Sequence, residues 1–338
     1  MKRLVVNEPG LFLRVKRGMI VVERKGEKIL EVSPSNISQV IVLTRGAALS
    51  SALLRLVAKY RVDLIVYSGL GYPVARLVSS RSNGAIRLRR TQYKVQNGEV
   101  GAYLAKKFAW AKVVNQKTLL REAGKNKTDQ DLSEKLINMS KEITPLADAI
   151  NTVESKSIDD VRKEVMRLEA KAAEIYWKGF KLMLPENVDF PSRKKRFELP
   201  EDPVNILLNF CYGLLASEVW LAVSSNGFDP YVGFLHADSP RRPALVMDLM
   251  EEFRQPVVDR VVLRLISSIK NPSSILEGRR LKREYRFEAV KAFSKRLSET
   301  ITFAGRNLPF SSHIFLQARR VAEFLLGRSP QYLPFTIR

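Results

Sequence analysis

Apolar residues follow two rhythms along this chain. In the first quarter they form short blocks, LFLRV (11–15), MIVVE (19–23) and KILEV (28–32), parted by Arg-Gly and Lys-Gly pairs, with QVIVL (39–43) following. Blocks of this length and β-branched content read as strands, and the glycine pairs between them as tight turns. A helix is expected from about Ser50 to Tyr60, capped by Ser50 or Ser51, with Leu53, Leu54, Val57 and Ala58 on its apolar face. VDLIVY (62–67) and PVARLV (73–78) add two strands around the turn SGLGYP. That many strands with one helix predict a small β-sandwich or curled sheet.

Beyond residue 90 the spacing becomes helical. Ile158, Val161, Val165, Leu168, Ala172 and Ile175 step by three and four, the stripe of an amphipathic helix over 158–181. Further helices are expected over 99–120, 131–151, 203–225, 243–270, 284–300 and 311–327. SSRSNGAIRLRR (79–90) marks the boundary between the two rhythms. The predicted fold class is α+β and multidomain: a small N-terminal β-sandwich-like domain (1–85) followed by a larger all-α domain (90–338). VNILLNFCYGLLASEVWLAV (204–223) comes nearest to a membrane span. Its Asn205, Asn209 and Glu218 make it a buried helix instead, and no membrane partner is expected.

Charge changes the picture. The 338 residues carry 57 Lys and Arg against 35 Asp and Glu, a net charge of +22. Residues 1–90 alone hold 17 basic and 5 acidic side chains. Such an excess implies a polyanionic partner, nucleic acid before any other. Cys211 is the only cysteine, which excludes an intrachain disulfide or a thiolate metal cage and suits a reducing cytoplasm. LIVYSGLG lacks the glycine pattern and following helix of a dinucleotide loop.

The candidate chemistry lies in GFLHADSPRRPALVMDLMEEFRQPVVDR (233–260). His236, one of only two histidines, precedes a proline-broken basic turn; Asp248, Glu251 and Glu252 then share one side of a helix. An imidazole so presented can bind a divalent metal, and carboxylates beside it would complete the set. The plainer readings are a structural histidine and a solvated acidic patch. A two-histidine site joining His236 to His313 is a further alternative, although a structural or DNA-contact role suits His313 better. In MRLEAKAAEIYWKGF, Glu169 sits at the edge of the buried stripe, where small alanines would admit another helix or DNA.

LEAKAAEIYW, together with the histidine block and acidic helix quoted above, resembles the archaeal-type CRISPR-associated integrase and endonuclease family. The likeness covers essentially the whole chain. It implies metal ligation by Glu169, His236 and Glu251, with Asp248 as a further catalytic-site acid, around Mn²⁺ or Mg²⁺. It also implies integration of short foreign duplexes into a repeat array by attack of a DNA 3′-hydroxyl. The expected partners are double-stranded DNA, as short duplex and repeat-array target, a second copy forming a homodimer through the strand-rich domain, and a small companion protein of the same CRISPR system. Branched DNA and RNA stay open as substrates. Arg241, Arg242, Arg279, Arg280, Lys282, Arg283 and Arg286 are expected to contact phosphates, with Tyr176 as a further contact. A general structure-specific nuclease and a non-enzymatic nucleic-acid scaffold are the rival functions.

Overall fold

The structure is a computed structural model describing residues 2–68, 71, 73–78, 85–154, 157–240 and 242–337. An unforeseen strand, β1 (Lys2–Val6), opens the chain. The antiparallel strands β2 (Leu11–Lys16), β3 (Met19–Arg24) and β4 (Glu27–Val32) follow. Their turns, Arg17-Gly18 and Lys25-Gly26, take positive φ at both residues. That is the hairpin geometry matching strand twist, as the glycine pairs foretold. After β5 (Ile37–Val42), β6 (Ala48–Leu49) and α1 (Ser51–Tyr60), the strands β7 (Asp63–Tyr67) and β8 (Pro73–Leu77) complete two four-stranded sheets. Their orders are β4-β3-β2-β6 and β1-β5-β7-β8. Ser50 caps α1 by accepting from the Leu53 amide.

The central strands β5 and β7 of the second sheet are buried on both faces, which explains their apolar runs. Val40, Val42 and Leu64 turn toward the strand-rich core. Their neighbours Ile41, Ile65 and Tyr67 belong to the helical core. Polar contacts fix this joint. Tyr67 donates to Ser217 Oγ at 2.7 Å, Arg76 donates to the Ser217 carbonyl at 2.8 Å, and Arg3 pairs with Glu218 at 2.9 Å.

The basic cluster at the expected boundary becomes helix α2 (Ile86–Val95), while residues 79–84 lie outside the described residues. Then α3 (Glu99–Lys125), α4 (Gln130–Thr152) and α5 (Ile158–Met183) pack on one another. The apolar helix α6 (Pro203–Ser225) lies in the core as expected. Its Asn205 donates to the Ser192 carbonyl and to Asp202, the residue capping the helix.

The single helix expected over 243–270 is a correction. It divides into α7 (Ala244–Met250), a tight turn Glu251–Phe253, a widened π-helical stretch Arg254–Asp259 and α8 (Arg260–Ser268). Pro256 has no amide to continue the ladder, and its carbonyl accepts from Arg296 at 2.7 and 2.9 Å. The helical region also carries two unforeseen hairpins, β9 (Leu276–Glu277) with β10 (Arg280–Leu281), and β11 (Thr300–Phe303) with β12 (Arg306–Pro309). They flank α9 (Arg283–Ser298); α10 (Phe310–Leu325) follows. The tail then returns inward, burying Tyr332, Phe335 and Ile337.

Candidate metal centre

The loop carrying His236 is held from several sides. Gln92 of α2 donates to the Asp229 and Val232 carbonyls, and Gln96 just beyond it to Gly233 O at 3.0 Å and Asp238 at 2.7 Å. Arg162 of α5 donates to Phe234 O at 2.7 Å. Position 233 has to be glycine, because a Cβ there would meet Ala244 Cβ at 2.7 Å and the His236 carbonyl at 2.8 Å.

Asp248 is fully buried beneath this loop. Its Oδ2 accepts from the amides of Phe234 and Leu235, and its Oδ1 from the His236 amide and from His236 Nδ1 at 2.7 Å. A carboxylate that only accepts places the proton on Nδ1, so Nε2 becomes the lone-pair nitrogen of the neutral ring. This is the usual way a metal-binding imidazole is oriented. Asp248, expected among the catalytic acids, thus lies behind His236 with its carboxylate on the loop amides and the ring nitrogen.

Glu169 of α5 and Glu251 of the tight turn converge on one cation. Lys112 Nζ, from α3, contacts Glu169 Oε1 and lies 2.8 Å from Glu251 Oε2. The same Glu251 oxygen accepts from Arg254 Nε at 2.8 Å. Side-chain exposure is 14% for Lys112, 16% for Glu169, 13% for His236 and 3% for Glu251, so the group lines a narrow opening. Burial disfavours the charge on Glu251. Arg254 and Lys112 outweigh it and hold the carboxyl well below its usual range. Burial likewise opposes the Lys112 charge, but Glu169 and Glu251 raise its pKa overall.

Glu252 points the other way. It accepts from Gln317 at 2.8 Å, from the Phe335 amide at 2.9 Å and from the Tyr332 hydroxyl. Burial, only partly offset by those donors, pushes it up to about 7. It anchors the tail and takes no part in the opening.

Tyr176 is a correction. It is fully buried, and its hydroxyl donates to Asp259 Oδ2 at 2.6 Å, so it faces protein rather than nucleic acid. Tyr212 donates to the other oxygen of Asp259, and the Arg254 guanidinium lies 4.6 Å from the Tyr212 ring centre. Burial, against these donors, pushes Asp259 up to about 6. His313 is also buried, its Nε2 2.9 Å from the Ile301 carbonyl and its ring against Phe303 and Phe335. Its role is structural.

Among the phosphate-contact candidates, Arg242 is exposed beside the His236 loop, and Arg241 lies outside the described residues. Arg280 and Arg283 are exposed and Lys282 half-buried; Arg279 pairs at the surface with Glu201 at 2.9 Å. Arg286 is half-buried and donates to the Leu43 carbonyl at 3.1 Å, tying the helical region to the sheet.

Sequence reasoning missed Lys112. A lysine among the buried residues Phe108, Ala109, Ala111 and Asn115 was the available signal. Among the described residues, no three His, Cys, Asp or Glu side chains close tightly enough round one point to hold a metal as they stand. The donors nonetheless suit a divalent ion: two carboxylates from separate elements already share one cation, and a histidine has its second nitrogen defined.

Residues 4–295 match the family model described as "CRISPR associated protein Cas1". A "CRISPR-associated endonuclease Cas1 1" of Archaeoglobus fulgidus is 38% identical over 337 residues, covering 96% of each chain. A "CRISPR-associated endonuclease Cas1" of Korarchaeum cryptofilum is 34% identical over 98% of this chain and 97% of its own. Among solved structures, a casposase bound to integration product superposes with a TM-score of 0.82 at 25% identity, covering 98% of this chain and 92% of its own. A chain of a Cas6-RT-Cas1–Cas2 complex shares the fold over part of its length, with a TM-score of 0.79 at 18% identity over 100% of this chain and 36% of that one.

Proposed function

This chain belongs to the Cas1 family of CRISPR-associated proteins, and from that premise we propose that it is a metal-dependent DNA endonuclease and integrase that joins short foreign duplexes to a CRISPR repeat array. The carrying observation is the convergence of Glu169 and Glu251 on one cation, beside a histidine whose tautomer Asp248 sets. The casposase likeness supports joining as well as cutting, since that relative was captured with an integration product.

Glu169, Glu251 and His236 Nε2 would hold the ion. Mn²⁺ or Mg²⁺, when bound, supplies a Lewis acid for the phosphodiester and favours deprotonation of the attacking hydroxyl or water. The protein's own work is arrangement. Asp248 keeps the His236 lone pair outward, Arg254 keeps Glu251 ionised, and the burial of Glu251 excludes water from one side of the centre. Arg242 at the rim, with Arg280 and Arg283 farther along, would steady the DNA backbone without reading its sequence.

A homodimer would use the strand-rich region, where the edge strand β4 exposes Ile29 and Leu30. The occurrence of the same fold in a complex named for Cas1 and Cas2 supports a small companion protein.

The test is strand transfer of a short duplex into a repeat-bearing target, with the companion and Mn²⁺ or Mg²⁺ present. Glu169→Ala, His236→Ala and Glu251→Ala should each abolish branched products while circular dichroism stays unchanged. Joining at the parental rate by folded variants would overturn the site. Cutting without joining by the parent protein would leave a general nuclease.

A further inference from the structure

The ammonium of Lys112 lies where two proposed metal-binding carboxylates meet, touching both Glu169 and Glu251. We propose that Lys112 is the centre's own counter-cation: it holds the two carboxylates together in the metal-free protein and competes with the divalent ion for them. The inference rests on the metal-binding reading above and adds a residue that opposes, rather than assists, ion entry.

Charge and mobility carry the argument. Lys112 and Arg254 balance Glu169 and Glu251, so this inner group is neutral without an ion. A dication added to a neutral, poorly solvated group gains little attraction unless one of the resident cations withdraws. Arg254 is fixed, with its guanidinium over Tyr212 and its Nε on Glu251. The α3 backbone is fixed as well, because Asn115, one turn on, donates to the carbonyls of Glu252 and Phe335 and accepts from the Ile337 amide. What remains free to move is the four-carbon stem of Lys112, whose side chain keeps a path to solvent at 14% exposure. A flexible stem ending in a compact ammonium suits a cation that must leave and return. Without it, two carboxylates facing each other across one cation's width would repel.

The full-length protein, free of DNA, tests this. Mn²⁺ binding would be measured by electron paramagnetic resonance or calorimetry on the parent, Lys112→Met and Lys112→Gln. Melting would be followed in EDTA and in saturating Mn²⁺. Lys112→Met should bind Mn²⁺ at least about tenfold more tightly than the parent. In EDTA it should melt roughly 5 °C lower, with Mn²⁺ recovering most of the loss. Lys112→Gln should shift affinity in the same direction, and it decides the question if the methionine variant does not fold. Affinity at or below the parental value in the folded variants would overturn the proposal while leaving the metal centre standing. Failure of the parent and the variants alike to bind Mn²⁺ would overturn the centre itself, and this inference with it.

Discussion

Glu251 and Glu252 are consecutive in the chain and face two different regions, the narrow opening and the seat of the C-terminal tail. Both are buried, at 2% and 0% exposure, so burial alone does not separate them. Their partners do. Glu251 has the two cations Lys112 and Arg254 and stays ionised. Glu252 has neutral donors, the Tyr332 hydroxyl, the Gln317 amide and the Phe335 backbone, and is pushed up to about 7. One helix serves both regions: Lys112 reaches Glu251, and Asn115 donates to the Glu252 carbonyl at 2.9 Å. In equally dry surroundings, then, the charge of the neighbours decides whether a carboxylate stays ionised or becomes a structural anchor.

The sharpest way to break this division is to neutralise each acid separately. Glu251→Gln should lower strand joining by on the order of 10³-fold, because it removes a proposed ligand and leaves the buried Arg254 without its carboxylate. Glu252→Gln should leave joining within about threefold of the parent, since a neutral side chain already suits that seat. Equal inactivity of the two folded variants in the joining assay would erase the distinction.

Acid titration sharpens it. The folded Glu252 carboxyl titrates near 7, above its ordinary 4.5, so the folded state holds the proton more tightly. Its stabilising share is complete below 4.5 and is lost as pH rises toward 7, a change of about 3 kcal/mol at most. Glu251 works in the opposite direction: its lowered pKa gives stability above the ordinary value that disappears on acidification. Melting temperatures between pH 4.5 and 7.5 should therefore fall less steeply in Glu252→Gln than in the parent. The shallower slope of Asp259, itself raised to about 6, should remain. Identical slopes in the two proteins would remove Glu252 from the account.

The smallest effect belongs to Tyr332→Phe, which deletes one donor to Glu252. Stability should drop by about 1–2 kcal/mol in denaturant unfolding, with strand joining unchanged. A matching loss of activity would mean that the tail seat and the opening are not separate.

Much of the fold was legible because local rules govern it. Short apolar blocks split by Arg17-Gly18 and Lys25-Gly26 could pair only as hairpins, and the Val161, Val165, Leu168 and Ala172 stripe could only be a helix face. β1 escaped notice because its parallel partner β5 lies more than thirty residues away, and nothing local marks such pairing. The division of 243–270 was half written in Pro256. Its outcome also depended on Arg296, forty residues on, reaching the freed turn.

The sequence by itself determined which residue types the centre could draw on: an isolated histidine, acids three and four apart, a glutamate at a stripe's edge, and an excess of positive charge. Periodicity gave Glu169 a place beside the buried face but no partner. Only the tertiary structure separated Glu251 from Glu252, set Asp248 behind His236, withdrew Tyr176 from the surface and brought Lys112 across from α3. The physical reason is range. Turn and helix preferences act over a few residues and are written consecutively, whereas a carboxylate's charge answers also to groups that folding carries in from more than fifty residues away.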